Sequence, residues 1–344
     1  MSSDPPSSSH QRRRRYAGKN PRRFEDKYKE LQPEMYPETV AQVLAAGKTP
    51  AGMHVPIMVS EVLSVLALHP GDTVIDCTLG FGGHAEKILG QILPGGRLIG
   101  LDVDPVELPR TEARLRALGF GPDALRIHRT NFAGLPRMMA DERMVGADAI
   151  LADLGTSSMQ LDTPSRGFSL KSAGPLDMRM NPQKGQPASA LLTKLTPADL
   201  AAILRDHSDE PRADLLAARL AGRKLTVTSD LTQAVHAALP KLPESERDKC
   251  VRRVFQALRI AVNDEFTTLD TLLRHLPACL NPGGRVAVLT FHSGEDRRVK
   301  KAFAACLRGG CFSRIAEGVI RPGPEECRAN PRASSAKLRW AEKR

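Results

Sequence analysis

The chain has 344 residues, 41% of them hydrophobic and 26% charged, which is enough for one good-sized globular domain with an insertion or small second domain. Fifty Lys and Arg against 39 Asp and Glu give a net charge of +11, so an anionic partner is indicated and nucleic acid heads the list. No run approaches 18 consecutive apolar residues and the arginines near the start precede no apolar region, so neither a membrane span nor a secretory leader is expected.

Residues 1–50 open on a Pro-, Ser- and Arg-rich stretch with almost nothing to bury, and are expected to be a disordered basic extension. Residues 11–30 alone carry nine basic and three acidic side chains. The tail reads either as an arm for RNA phosphates or as a solvated segment, with a short helix conceivable at Pro37 to Ala46. Globular structure is expected to start near Met53-His54-Val55-Pro56, followed by a helix with Val59, Val62, Leu63 and Leu66 on one face.

Thr73 to Leu79 then reads as a strand running into Gly80-Phe81-Gly82-Gly83, after which Ala85, Ile88 and Leu89 recur at helical spacing. A second strand, Arg97 to Leu101, ends in Asp102 and Asp104, completing a βαβ unit with a ligand site at its strand ends. The glycines permit positive φ and close backbone approach, and an acid closing the second strand can hold a ribose. Gly80-x-Gly82-x-x-Ala85 with Asp102 fits a nicotinamide cofactor as well as S-adenosylmethionine. Asp76 favours the methyl donor, since a carboxylate there repels a pyrophosphate and attracts a cationic amino-acid end; the plainer reading has it brace the turn.

A helix over 105–118 and a strand at Leu125 to His128 follow, with Phe132 placed either to stack on an adenine or to pack in the core. Ala147 to Leu154 is the next buried strand and delivers Asp153, a third strand-end carboxylate, to the ligand edge of a parallel sheet. Residues 162–250 offer loops and helices such as Pro197 to Leu204 and Asp214 to Leu220, but no strand, and so read as a helical insertion. Arg166, Lys171, Arg179 and Lys184 make its entry loops basic, for RNA or for solvent.

Val251 to Cys279 returns to helix, with Arg252, Gln256, Arg259 and Asn263 on a polar stripe that suits phosphates and base edges or a buried hydrogen-bonded seam. After the turn Pro282-Gly283-Gly284, the strand Arg285 to Phe291 brings His292 to the same edge, in a catalytic or a structural role. Phe312 to Ile320 and Ala336 to Ala341 are expected to close the sheet antiparallel. The six cysteines show no zinc spacing and fit free thiols in a reducing cytoplasm.

These segments together resemble the bacterial small-subunit ribosomal RNA methyltransferase H family, once called MraW, which makes N4-methylcytidine. The resemblance rests on His54-x-Pro56, Asp76-x-Thr78-x-Gly80-x-Gly82-Gly83-His84, Asp102-x-Asp104-Pro105, Asp153-Leu154-Gly155-x-Ser157-Ser158-x-Gln160-Leu161-Asp162 and Arg166-Gly167-Phe168-Ser169. Gly174 to Met180, Phe255-Gln256-Ala257-x-Arg259-Ile260-x-Val262-Asn263, Phe291-His292-Ser293-x-Glu295-Asp296-Arg297 and Asn330 to Ala333 extend it to the C-terminal region, with the first fifty residues outside it.

The resemblance implies a class I methyltransferase fold, a mostly parallel Rossmann-like sheet formed by 54–161 and 251–344 with the helical insertion at 162–250 recognising rRNA. It implies S-adenosylmethionine held by Gly82, Gly83, His84, Asp102, Phe132, Asp153 and Gln160, and 16S rRNA in an assembled small subunit as substrate, with no metal and with a homodimer left open. RNA would be met by Arg166, Arg179, Arg252, Gln256, Arg259 and Asn263. Where many amino-methyltransferases carry an Asn/Asp-Pro-Pro-aromatic tetrapeptide, this chain has Asp153-Leu154-Gly155-Thr156. Asp153, or a backbone carbonyl just after it, is therefore the candidate acceptor for the amine, and His292 the candidate to orient the base or take the proton. The family's usual Gly-Glu-Glu-Arg-Phe-Ala is replaced by Ser208-Asp209-Glu210-Pro211-Arg212-Ala213.

Overall fold

A computed structural model describes residues 56–344, within a compact unit spanning His54–Arg344. The basic extension, the short helix at Pro37 to Ala46 and His54 lie outside the described residues. Seven strands, β1 (Thr73–Asp76), β2 (Arg97–Asp102), β3 (Leu125–Arg129), β4 (Ala147–Asp153), β5 (Leu280–Thr290), β6 (Phe312–Ile315) and β7 (Lys337–Lys343), form one sheet in the order β3-β2-β1-β4-β5-β7-β6. β1 to β5 are parallel, and β7 lies antiparallel between β5 and β6. This is the mostly parallel α/β sheet the sequence predicts.

Side chains alternate across the pleat, so each strand feeds two cores. Val74, Leu98, Leu151 and Leu289 face α1 (Val59–Leu66), α2 (Gly83–Ile92) and α3 (Leu108–Ala117). Their neighbours Ile75, Ile99, Ile150 and Val288 share the opposite core with α4 (Leu135–Asp141), and that core also takes in helices that follow in the chain.

A short helix α5 (Ser158–Asp162) leads from β4 into a third, separate core made by α6 (Ala188–Lys194), α7 (Pro197–Ser208), α8 (Ala213–Leu220), α9 (Thr228–Ala238) and α10 (Glu244–Asn263). Leu204, Leu216, Val235, Val254 and Leu258 are all fully buried there. A boundary at residue 250 thus falls inside α10, whose apolar face from Cys250 to Leu258 belongs to the helical layer. Asp264 in the left-handed region (φ 49°) ends that helix and begins α11 (Glu265–Cys279), so the single helix read over Val251 to Cys279 is two.

β5 is longer than the sequence suggests because Pro282-Gly283-Gly284 is a bulge and not a turn before the strand. Leu280 already pairs with Ala147, and pairing resumes at Arg285 with Ala149. Beyond β5, α12 (Ser293–Arg308) covers the sheet, and α13 (Pro324–Ala329) precedes β7. Among the described residues no helix is long and apolar enough to cross a membrane.

Candidate active site

The glycine turn after β1 is held open from outside. Gly80 (φ +49°) and Gly82 (φ +79°) adopt the conformation only glycine takes freely, and a Cβ on Gly83 would sit 3.0 Å from the Pro56 ring. From α3, Arg114 donates two hydrogen bonds to the Phe81 carbonyl (2.9 and 3.2 Å) and lies 4.3 Å over the Phe81 ring, while the Thr111 hydroxyl donates to the Gly80 carbonyl.

Asp76 is 1% exposed and its Oδ1 accepts from the Thr78 amide at 3.0 Å. It therefore lies beneath the turn and has no surface for a ligand. The attraction read into it for a cationic ligand is corrected, and it is a brace, because the sequence gives its place at the strand end but not its depth.

Above the turn the strand ends enclose a cavity of about 420 Å³, lined by Gly80 to His84, Asp102, Phe132, Asp153 and Gln160 among others. The volume lies in the range of small-molecule sites. Asp102 accepts from the Gly80 amide (2.8 Å) through one oxygen and from the Asp104 amide (2.9 Å) through the other. The Val103 amide also bonds this carboxylate, and since an ionised carboxylate has about four acceptor positions, capacity remains for a ligand. Phe132 both lines the cavity and packs on the sheet core, which joins the two alternatives. Gln160 lines it too, but its amide oxygen accepts from the Ser157 amide and its nitrogen donates to Asp104 at 3.0 Å, so what the structure shows is a brace.

Asp153 is a poorly satisfied carboxylate. Its side chain is 27% exposed, yet Oδ1 is covered and has no hydrogen-bond partner. Its backbone amide donates to the Thr78 hydroxyl at 2.6 Å. The His84 Nε2 must carry a hydrogen because it faces the Ile57 carbonyl at 3.0 Å, so its Nδ1 turns a lone pair toward Asp153 Oδ2 at 3.6 Å. Burial, and then the nearby Glu295 charge, push the Asp153 carboxyl up to about 7. Glu295 goes the other way: burial opposes its ionisation, but His292, Arg259 and the Phe291 amide together hold it below the usual carboxylate range.

The basic residues expected to meet RNA are mostly committed inside the protein. Arg166 is 9% exposed, pairs with buried Asp104 at 2.8 Å and donates to the carbonyls of Arg179 and Met180. Arg179 forks Asp177, and Arg259 forks Glu265 with two bonds of 2.8 Å. Asn263 accepts from the Met180 amide and donates to the Met178 carbonyl, and Gln256 donates to the His207 carbonyl. Through these bonds Arg166, Arg259 and Asn263 pin the loop at 177–181 and the start of α11, while Arg259 and Asn263 also line the larger cavity. A polar stripe has the same spacing whether it faces water or the unpaired carbonyls of a loop. Arg252 alone of these six is exposed and has no partner among the described residues.

His292 and Asp153 come from adjacent strand ends, since Asp153 pairs with Leu289, but they face different spaces. His292 lines a smaller cavity of about 200 Å³ between the strand ends and α10. Its Nδ1 accepts from the Glu295 amide at 3.4 Å, and its Nε2 is buried without a hydrogen bond, 3.2 Å from Glu295 Oε1. Glu265, His292 and Glu295 each bring a ligand-type atom within 4.8 Å of the others, but Arg259 already occupies Glu265 and the Phe291 amide occupies Glu295.

Sequence reasoning passed over four residues. Asp104 and Glu295 stand inside the recognised motifs, so a signal was present. Thr78 stands in one too, but only the fold brings it to Asp153. Glu265 stands in none, and no local pattern marks it.

The sequence profile of the MraW methylase family matches residues 51–344. Ribosomal RNA small subunit methyltransferase H 1 of Lachnoclostridium phytofermentans is 45% identical over 341 residues, covering 96% of this chain and 93% of that protein. Methyltransferase H 2 of Acholeplasma laidlawii is 47% identical, covering 96% and 97%. Coverage of 96% is more than residues 54–344 can supply, so the similarity reaches into the basic extension, which corrects the view that it begins at His54. Among solved structures, an rRNA methylase from Streptococcus thermophilus is similar with a TM-score of 0.41 at 12% identity, over 85% of this chain and 99% of that one.

Proposed function

The chain belongs to the MraW methylase family, and we propose that it methylates the N4 amine of a cytidine in the decoding region of 16S rRNA, using S-adenosylmethionine and acting on an assembled small subunit. The relatives' names support rRNA of the small subunit as substrate. The observation that carries the chemistry is Asp153, a cavity-facing carboxylate with a covered, unpartnered oxygen and a basicity near neutrality.

The residues present fit the methyl donor. The Gly80 to His84 turn lines the cavity with a backbone bent through the positive φ of Gly80 and Gly82, Asp102 keeps acceptor capacity for ribose hydroxyls, and Phe132 offers an aromatic wall for the adenine. Asp153 takes the part the sequence reading gave to Asp76, as the carboxylate available to positive charge. When bound, S-adenosylmethionine supplies an electrophilic methyl carbon.

The exocyclic amine of cytosine is a poor nucleophile because its lone pair is delocalised into the ring. Asp153 accepts a hydrogen bond from that amine, which localises the lone pair, and takes the proton as positive charge develops on nitrogen. A group with a pKa of about 7 is matched to that task near neutral pH. His292, which lines the adjoining cavity, orients the base. The +11 charge and exposed Arg252 supply attraction for phosphate, and ribosomal subunits place the reaction in the cytoplasm.

Calorimetry and methyl-transfer assays test this reading. The protein should bind S-adenosylmethionine and not NAD, and should methylate isolated small subunits far faster than free cytidine. Asp102→Ala should weaken cofactor binding by about 1–3 kcal/mol, the loss expected for hydrogen bonds to a charged group. Equal rates on free cytidine and on subunits would overturn the substrate assignment.

A further inference from the structure

We propose that the smaller cavity, walled by Phe168, Phe255 and Phe291, receives a single unstacked pyrimidine of the RNA, entered past Leu170 and Arg252. The proposal deepens the methyl-transfer reading above and rests on it.

Position comes first. The two cavities share Thr156, Leu161, Arg259 and Phe291, so a ring in the smaller one meets the larger one at the ends of β4 and β5, beside Asp153. Gly155 stands at that junction against the Phe291 ring, with a φ of +98° that residues bearing a side chain rarely adopt. An enzyme that acts on a base must take it out of its stack, and needs a pocket of this kind next to the methyl donor.

Size and walls agree. At about 200 Å³ the cavity falls below the roughly 300–1,000 Å³ of sites for drug-sized ligands, so it takes one ring and not a nucleotide with its sugar and phosphate. Phe168 and Phe255 are 7% and 5% exposed and are fixed by the helical layer's core. They give a rigid aromatic wall, the surface on which unstacked bases are held.

The polar groups are sparse and unspent. Gln256 has its amide nitrogen tied to the His207 carbonyl, which leaves its oxygen as an acceptor for an exocyclic amine. His292 Nδ1 accepts from the Glu295 amide, so Nε2 carries the hydrogen; it is buried 3.2 Å from Glu295 Oε1 without forming a full hydrogen bond there, and can turn that hydrogen to a base. One acceptor and one donor match the amine and the ring nitrogen or carbonyl along the pairing edge of cytosine. At the mouth, Leu170 is one of the few large apolar side chains left exposed, at 42%, next to the unpaired guanidinium of Arg252. An apolar lip beside a cation suits a base that leaves its stack while its phosphate stays outside.

Leu170→Trp tests this, because the substitution is at a largely exposed position and adds bulk to the entrance. With saturating S-adenosylmethionine, single-turnover methylation of small subunits should fall on the order of a hundredfold, the loss that accompanies a misplaced reactant. Cofactor affinity by calorimetry and subunit affinity by filter binding should stay close to wild type. Methylation by Leu170→Trp at the wild-type rate would overturn the pocket while leaving the methyl-transfer reading intact. A loss confined to subunit affinity would overturn it too, making this face a docking surface. If the wild-type protein transfers no methyl to small subunits, the functional reading itself fails, and that is seen without any variant.

Discussion

The carboxylates at the sheet edge and the arginines of the helical layer were both marked by their sequence positions, yet the fold treats them oppositely. Arg166 and Arg259 have their charges matched by Asp104 and Glu265. Asp153 has a covered oxygen with no partner, and Asp102, which lines the same cavity, accepts from backbone amides alone. Leaving a buried polar atom unpaired is unfavourable by about 1–3 kcal/mol, so a fold retains such an atom where something else will pair with it. At the cavity, the satisfied charges of Arg166 and Arg259 hold the scaffold, and the unpartnered oxygen of Asp153 is open to a ligand or substrate.

That contrast can be broken from either side. The largest effect should come from Arg166→Ala, which leaves Asp104 charged and 2% exposed: urea unfolding should show a loss of about 3–5 kcal/mol, the range for removing one partner of a buried pair. A loss under about 1 kcal/mol would mean that the pair is not scaffold. Asp153→Asn should act with the opposite sign.

The Asp153 carboxyl is raised from 3.8 to about 7 in the folded state, so between those values the folded protein holds more protons than the unfolded one and stability falls as pH rises. Asn mimics the protonated form. The variant should therefore match wild type near pH 4 and exceed it by ~1–3 kcal/mol at pH 8 in the absence of ligand, a figure discounted for solvent screening. A variant less stable than wild type at pH 8 would place Asp153 with the scaffold.

What the sequence could show divides along the same line. The Gly80 to Gly83 turn, the β1, β2 and β4 strands and the places of Asp102 and Asp153 follow from local patterns: β-branched runs, glycines and a carboxylate at each strand end. The Arg166–Asp104 pair joins residues 62 apart in the chain, and nothing near either one announces the other. Depth was hidden for the same reason, so Asp76 and Asp153 looked alike although one braces the turn and the other faces the cavity. The stripe on α10 was visible as a stripe, but its partners, the carbonyls of Met178 and His207, come from distant loops.

The β4–β5 pair lies at the centre of the sheet, and residues 154–279 stand between its two strands. As a flexible loop, a segment of that length would make closure slow and entropically unfavourable. Residues 188–263 instead form five consecutive helices around their own core, through contacts close in sequence. Once folded, they span the gap as a solid piece. The layer that walls the smaller cavity is thus also a folding aid, and β5 keeps an unpaired edge until β7 has been made. In refolding followed by pulsed hydrogen exchange, amides of α7 to α10 should gain protection before those of β5 and β7; simultaneous protection would show that the helices do not lead.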